Sequence, residues 1–366
     1  MTSSRGHHRG DPPDLTIPEA VDRFIDRHQI EWNGSTGRTY RKSLDTFEEY
    51  AQQKGIENLS DLTRWTVGNY SEWLLKNEQN FAKVTVESKQ KQAITWIKWL
   101  ESRGLVQVGL HAAIDSLNLE DDEQTSSDAI APDDLASLLR FYRGDSDFQN
   151  SREHAILELI AHTGVRRSGV RAVDVSDWNH SDRIVELRNR PENGTRLKEG
   201  AKHNRKVVLS QKPAEVIQAY VQENRFDKHD EVGRQPLFTS REGRPNVSTV
   251  TNWIYQSTIP CRRKECPHNK EKGSCDWTVQ SESCKCPSSS SPHPARRGSI
   301  TWQLNIGRSI QNVAARAGTT PDVIRRYYDK PSLDAELRRR ITEFNGIDVC
   351  KHSVPEDVKE DAGEGQ

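Results

Sequence analysis

Between His111 and Leu139 the chain carries no lysine or arginine, while Asp115, Glu120, Asp121, Asp122, Glu123, Asp128, Asp133 and Asp134 all fall within that stretch. Like charges around a polar centre of Gln124, Thr125, Ser126 and Ser127 repel one another and offer no apolar face, so a solvated linker is expected here. It divides the 366 residues into two folding units, which suits their number. Taken as a sum, 53 Lys and Arg against 54 Asp and Glu speak against a nucleic-acid partner, because phosphate binders usually carry excess base. By segment the picture reverses. From Pro294 to Arg340 ten basic residues face only four acidic ones, a local net of +6, and the tail beyond Pro355 is acidic again. Such a run is most often a solvated face, so by itself it names no partner.

Only 33% of the residues are hydrophobic, yet balanced charge and nine tryptophans exclude a disordered chain. No run approaches the roughly 18 apolar residues of a membrane span. Met1 to Pro13 is polar and has no signal-peptide core, so a cytoplasmic protein with no membrane partner is expected.

Ahead of the linker the apolar spacing is helical. Ala20, Val21, Phe24 and Ile25 mark a first helix over 18–28; Ser35 caps a second, with Tyr40, Leu44, Phe47 and Tyr50, that ends before Gly55. Ser60 or Asp61 caps a third helix, through Leu74. A fourth spans 82–102 and stops at Gly104. Its lysines, Lys83, Lys89, Lys91 and Lys98, serve either solubility or contact with a phosphate backbone. After the linker, Asp133 or Asp134 caps a helix through Phe141, and an apolar helix covers 153–162. Two short β-type runs, 184–187 and 206–209, flank a polar stretch and predict a hairpin. Helices return over 213–225, 247–255 and most of 300–344. The fold class is therefore mainly α with a small β-hairpin or sheet.

Three stretches carry chemistry. In Thr163-Gly164-Val165-Arg166-Arg167-Ser168 a tight glycine turn places Arg166 at a rigid junction between helices, suited to an anion. In His293-Pro294-Ala295-Arg296 an imidazole and a guanidinium stand three residues apart, suited to acid–base work on a phosphodiester. Near the end come Tyr327 and Tyr328 in a basic helix. Each stretch alone is commonly structural.

In this order, behind a helical domain, they resemble the tyrosine recombinase (phage integrase) family over about 300 residues. Thr163 to Ser168 is similar to the family's T-G-x-R-x-S box and His293 to Arg296 to its H-x-x-R box, and the 35 residues from His293 to Tyr328 match its spacing and favour Tyr328 over Tyr327. The resemblance implies a disordered N-terminus (1–14), a helical SAM-like core-binding domain (15–117), the acidic linker (118–132), a catalytic domain (133–345) and an acidic tail (346–366). It implies a clamp around double-stranded DNA and a homotetramer on synapsed duplexes. It also implies chemistry without metal or ATP. Tyr328 attacks a phosphodiester, Arg166 and Arg296 hold its non-bridging oxygens, His293 assists proton transfer, and a hairpin lysine protonates the leaving 5'-oxygen. Lys198, nearest the first arm, is the choice for that lysine, with Lys202 the alternate.

Two positions depart from the family's pattern. The His or Trp usual about nine residues before the tyrosine is missing from Ala315 to Thr320, which should weaken phosphate positioning, and Gly169 replaces a common acidic residue. A rival reading makes Ile310 to Tyr328 the helix-turn-helix of a non-catalytic DNA-binding regulator. A metal-dependent nuclease lacks a suitable Asp and Glu motif.

Five of the six cysteines lie between Cys261 and Cys286, too local for a secreted disulfide framework. This Cys-rich insertion (258–292) looks like a variant seen among archaeal integrases of the family. Cys261, Cys266, Cys275 and Cys286 are the first choices for a structural zinc, with Cys284, His268 and His293 also available. Unliganded thiols or a redox disulfide are the alternatives.

Overall fold

The computed structural model describes residues 13–32, 34–76, 81–120, 128–271 and 273–329, together with 336, 337, 339 and 341. The tail 346–366, residues 1–12 and 121–127, and Lys330, Arg338 and Arg340 of the basic segment lie outside the described residues. The chain forms two compact units, Met1–Ser126 and Ser127–Gln366, divided within the acidic stretch. Among the described residues no helix is long and apolar enough to cross a membrane.

The first unit holds four helices, α1 (Ile17–His28), α2 (Gly34–Gln53), α3 (Arg64–Lys76) and α4 (Lys83–Ser102). A capping box opens α1. The Thr16 hydroxyl accepts from the Glu19 amide and the Glu19 carboxylate accepts from the Thr16 amide at 3.0 Å. Ser35 lies in the first turn of α2 rather than capping it, and α3 starts later than expected because 59–61 form a separate 3-10 turn. Phe47 is the hub of the core, with ring centroids 5.1 Å from Trp96 and 4.8 Å from Tyr70. The lysines of α4 divide. Lys89 is buried, donating to the Thr46 hydroxyl at 2.6 Å, and Lys91 pairs with Glu87 at 2.9 Å, so neither is a free surface cation.

The second unit begins with α5 (Pro132–Gly144), whose N-cap is Ala131. Proline at the first helical position puts Asp133 and Asp134 inside the first turn, where they face the positive end of the helix dipole instead of capping it. Next come α6 (Arg152–Thr163), buried on nearly every side, and α7 (Arg167–Ala172). A three-stranded antiparallel sheet follows in the order β1 (Trp178–Asn179), β2 (Ile184–Leu187), β3 (Arg205–Val208), with Ile184 opposite Val208 and Leu187 opposite Arg205. Strand β1 is two residues long and has no periodicity to reveal it in sequence, and β3 starts one residue early. Then α8 (Gln211–Ala219) ends in a π turn, and α9 (Val247–Thr258) leads to the cysteine loop.

Helix α10 (Pro292–Asn305) starts eight residues before the expected Ile300, because Pro292 at its first position lets the helix include the whole His293 to Arg296 motif. It packs on the first residues of the unit. The Ile130 amide donates to the Pro294 carbonyl at 3.2 Å, and a Cβ at Gly298 would stand 2.3 Å from the Ile130 carbonyl oxygen. The remaining helices are α11 (Ile310–Ala317) and α12 (Pro321–Tyr327), joined through Gly318.

Candidate active site

Helix α6 ends at Gly164, whose φ of +63° only glycine adopts freely. Space excludes a side chain as well, since a Cβ there would lie 3.2 Å from Ala317 and 3.3 Å from Ile300. The turn buries Val165 and delivers Arg166 to the start of α7. One turn earlier, buried Glu158 ties the end of α6 to its surroundings, accepting from Arg143 at 2.6 and 2.9 Å and lying 3.3 Å from the His154 ring and 3.2 Å from that of His162. Burial pushes its carboxyl up, but the hydrogen bonds from His154, His162 and Arg143 prevail and hold it well below the usual range. Gly169 has no room for the acidic residue expected there, because a Cβ would meet Val165 Cγ2 at 2.4 Å.

The site is organised by the C-terminal end of α11. The last carbonyls of a helix lack partners within it and form the negative end of its dipole. Here three successive ones each accept from a guanidinium. Arg205 Nε donates to the Arg316 carbonyl at 2.9 Å, Arg296 Nη1 to that of Ala317 at 2.7 Å, and Arg166 Nη1 to that of Gly318. Arg296 Nη1 also reaches the Gly164 carbonyl, and Arg316 Nε returns to the His162 carbonyl at 2.8 Å. The donors come from β3, α10 and the α6–α7 junction, so one helix end gathers three distant segments. Gly318, with φ of +63°, makes this end.

Burial first, and then the charge of Arg296, pushes Arg166 down to about 10, against the opposing pull of Tyr328 and Glu199. Burial, Arg296 and Arg166 in turn push Arg205 down to about 9. Arg166 and Arg205 remain protonated at neutral pH, and the depression expresses a concentration of positive charge that an anion would relieve. Arg296 is 2% exposed, and among the described residues its Nη2 has no hydrogen-bond partner.

Tyr328 follows the last turn of α12, 8% exposed, with its ring packed among Ile300, Leu304, Val313, Ala314, Ala317 and Ile324. Its hydroxyl lies 3.5 Å from Arg296 Nε. Tyr327 faces a different environment: its ring lies 5.2 Å from the Arg326 guanidinium, and its carbonyl accepts from Arg297. The exposed ring of His293 stands 5.9 Å from that of Tyr328. Desolvation, and then Arg296, Arg297, Arg166 and Lys198, hold it below the ordinary imidazole value. Lys198 is thus within electrostatic reach of His293. It is placed there by Leu197, which is buried in the core, and by the left-handed turn at Glu199. Lys202 instead lies 3.6 Å from the Glu199 carboxylate. Thr319, nine residues before Tyr328, stands at the place of the family's usual His or Trp, and its amide closes the helix on the Ala314 carbonyl.

The sequence reading missed Arg205 and Arg316. A signal for Arg205 existed in the period of its strand, where Val207 and Leu209 are buried while Lys206 and Val208 are exposed, which puts Arg205 on the inward face. Arg316 had no comparable signal.

In the loop after α9, Cys286 is buried, Cys261, Cys266 and Cys275 are half-buried, and Cys284 is exposed, all as free thiols. Burial and then Cys266, Cys286 and Cys275 push the Cys261 thiol up, so these four share one neighbourhood. Among the described residues no three His, Cys, Asp or Glu side chains stand in a metal-holding arrangement. His268 bonds the Ser288 hydroxyl at 3.0 Å, and His293 belongs to the tyrosine site.

A tyrosine hydroxyl set among guanidiniums, with an imidazole and an ammonium at hand and the carboxylate of Glu199 at the margin, can meet an anion with a nucleophile. Comparison with known proteins is more specific. Residues 129–330, over half of the chain, match the model of the phage integrase family, and the chain belongs to that family of tyrosine recombinases. It is 24% identical over 228 residues to the tyrosine recombinase XerC of Thermodesulfovibrio yellowstonii, spanning 61% of this chain and 69% of that one. In fold it is similar to the Tn1549 transposon integrase solved with a circular intermediate DNA (TM-score 0.61, 13% identity, 91% of this chain and all of that one). It is likewise similar to a lambda integrase dimer bound to a COC' core site (TM-score 0.54, 12% identity, 92% of this chain and 81% of that one).

Proposed function

We propose that this chain is a site-specific DNA recombinase that breaks and rejoins strands of double-stranded DNA through a 3'-phosphotyrosyl link at Tyr328. The observation that carries the reading is the placement of the Tyr328 hydroxyl 3.5 Å from Arg296 Nε, within a cluster of buried guanidiniums that form no carboxylate ion pair among the described residues. Arg166 and Arg296 bind the non-bridging oxygens of the scissile phosphate and stabilise the charge of the pentavalent transition state. The Tyr328 oxygen attacks phosphorus as its proton passes to His293, which is neutral at physiological pH. The bond from phosphorus to the 5'-oxygen breaks, and Lys198 protonates that oxygen. Rejoining reverses each transfer: a 5'-hydroxyl attacks, returns its proton to Lys198, and Tyr328 leaves with a proton. Strand exchange between two duplexes needs four such sites, so the assembly is a homotetramer on DNA.

Support for Lys198 over Lys202 is its electrostatic reach to His293. Support for Tyr328 over Tyr327 is the Arg296 contact. The helix-turn-helix reading is disfavoured because the carbonyls around its turn are occupied by internal guanidiniums rather than presented on a surface. Zinc on Cys261, Cys266, Cys275 and Cys286 would brace the loop before α10. Its support is that the four cysteines share one loop, although the described side chains do not stand in a metal-holding arrangement, and no catalytic step passes through it.

The test is covalent capture. The cleaved sequence is recovered from a random duplex pool as DNA bound covalently to the full chain, then rebuilt as a nicked duplex that traps the intermediate. A covalent adduct is expected from the wild-type protein and from Tyr327→Phe, and none from Tyr328→Phe. An adduct lost in Tyr327→Phe but kept in Tyr328→Phe would move the nucleophile, and none from the wild-type protein would end the reading.

A further inference from the structure

Two of the three guanidiniums on the end of α11 come from sequence motifs; the third, Arg205, comes from the sheet. We propose that Arg205 is a further phosphate-binding residue of this active site, donating through Nη2 to a non-bridging oxygen of the scissile phosphodiester; the proposal rests on the recombinase reading given above.

Its side chain is anchored at two points. Nε donates to the Arg316 carbonyl at 2.9 Å and Nη1 to the His203 carbonyl at 3.0 Å, while among the described residues Nη2 makes no hydrogen bond. The guanidinium presses on Gly318, where a Cβ would stand 2.4 Å from Nη1 and 3.0 Å from Nη2. Gly318 is also the residue whose carbonyl holds Arg166, and the carbonyl before it holds Arg296. Arg205 is thus placed beside both phosphate-binding arginines by the same three peptide units. Electrostatics say the same, since Arg296 and Arg166 are the charges that act on it.

Among the described residues no carboxylate pairs with Arg205, although Arg190, Arg234 and Arg244 of the same unit pair with Asp174, Asp177 or Asp230. Burying a cation without a counter-ion is costly. The carbonyls of Arg316, at the end of α11, and of His203 offset part of that cost, but no carboxylate neutralises the charge among the described residues, which leaves it able to meet an anion. A fork held at Nε and Nη1 has the donors of Nη2 fixed in direction, as preorganised charge stabilisation requires.

The experiment compares Arg205→Met with the wild-type protein on the nicked duplex carrying either the natural phosphodiester or an uncharged methylphosphonate at the cleaved position. If Nη2 meets the charged oxygen, Arg205→Met slows adduct formation on the phosphodiester by about 10²–10³-fold. On the methylphosphonate, which lacks that charge, the loss falls below about tenfold. Arg205→Lys, which keeps the charge but not the fork, shows the same substrate dependence with a smaller loss, and serves if the methionine variant unfolds. Equal losses on both substrates would make Arg205 a brace for Gly318 and overturn the phosphate contact, as would no loss on either. Absence of any adduct from the wild-type protein would instead be a failure of the recombinase reading.

Discussion

Gly318→Ala tests whether the helix end organises the site. Two costs follow from the geometry. At φ of +63° an L side chain is strained, by about 1–2 kcal/mol. The new methyl would also stand 2.4 Å from Arg205 Nη1 and 2.6 Å from its Cζ, so the guanidinium must swing out and give up its bond to the Arg316 carbonyl. A hydrogen bond from a charged group contributes about 1.5–3 kcal/mol, so the total is about 2.5–5 kcal/mol. Gly307 supplies the control. It has φ of +80° and lies between α10 and α11, but nothing stands within 4 Å of a Cβ there, so Gly307→Ala carries only the strain of about 1–2 kcal/mol. The difference between the two variants isolates the displaced arginine, and a unit of this size loses about 2–4 °C of melting temperature per kcal/mol. Adduct formation should fall about 10²–10³-fold in Gly318→Ala and stay unchanged in Gly307→Ala. Equal melting temperatures and equal cleavage rates in the two variants would refute the view that Gly318 is there to admit Arg205.

Four further outcomes are expected. Lys198→Ala should cleave a natural duplex slowly but recover when the leaving 5'-oxygen is replaced by sulfur, which departs without a proton; recovery in Lys202→Ala instead would reassign the acid. The acid limb of the cleavage rate against pH should have its midpoint below about 6.5, because His293 is held down by its surroundings and must be neutral to accept a proton, and a midpoint above that value would remove His293 from the role. Glu158→Gln should destabilise the second unit by about 3–5 kcal/mol in urea at pH 7, since it strands Arg143. Glu158 has a depressed pKa, so its contribution is full above the ordinary value of about 4.3 and is lost as pH falls below it, and the gap between variant and wild type should narrow there. Metal analysis of protein purified under reducing conditions settles the cysteine loop: one zinc per chain, lost in Cys286→Ser, is expected, and none in the wild-type protein would leave Cys261, Cys266, Cys275 and Cys286 as plain thiols.

What the sequence determined by itself is local or ordered along the chain. Helical spacing located Ala20 to Phe24 and the apolar faces of α2, α4 and α5, because burial of one face repeats at a period that any window displays, whereas Trp65 of α3 is exposed and α6 is buried on nearly every side. The two boxes marked Arg166, His293 and Arg296, because the turn at Gly164 and the opening of α10 at Pro292 are each set within a few residues. Helix starts at Ser35 and Asp133 were misjudged by two positions, since several residues in a row could serve as a cap and only packing chooses between them.

Other features were decided by the tertiary structure. Lys89 looks like a surface cation in a polar helix, and only the approach of Thr46, 43 residues away, shows it to be internal. Arg205 and Arg316 matter because β3, α10 and the α6–α7 junction meet at the end of α11, and a carbonyl that holds a guanidinium 111 or 152 residues away leaves no trace in either local pattern. Charge that sums to near zero over 366 residues is likewise gathered into one site by folding, which brings distant arginines close enough to depress one another. Sequence named the groups that the proposed chemistry needs, and the convergence of three segments on one helix end brings three arginines to the same place.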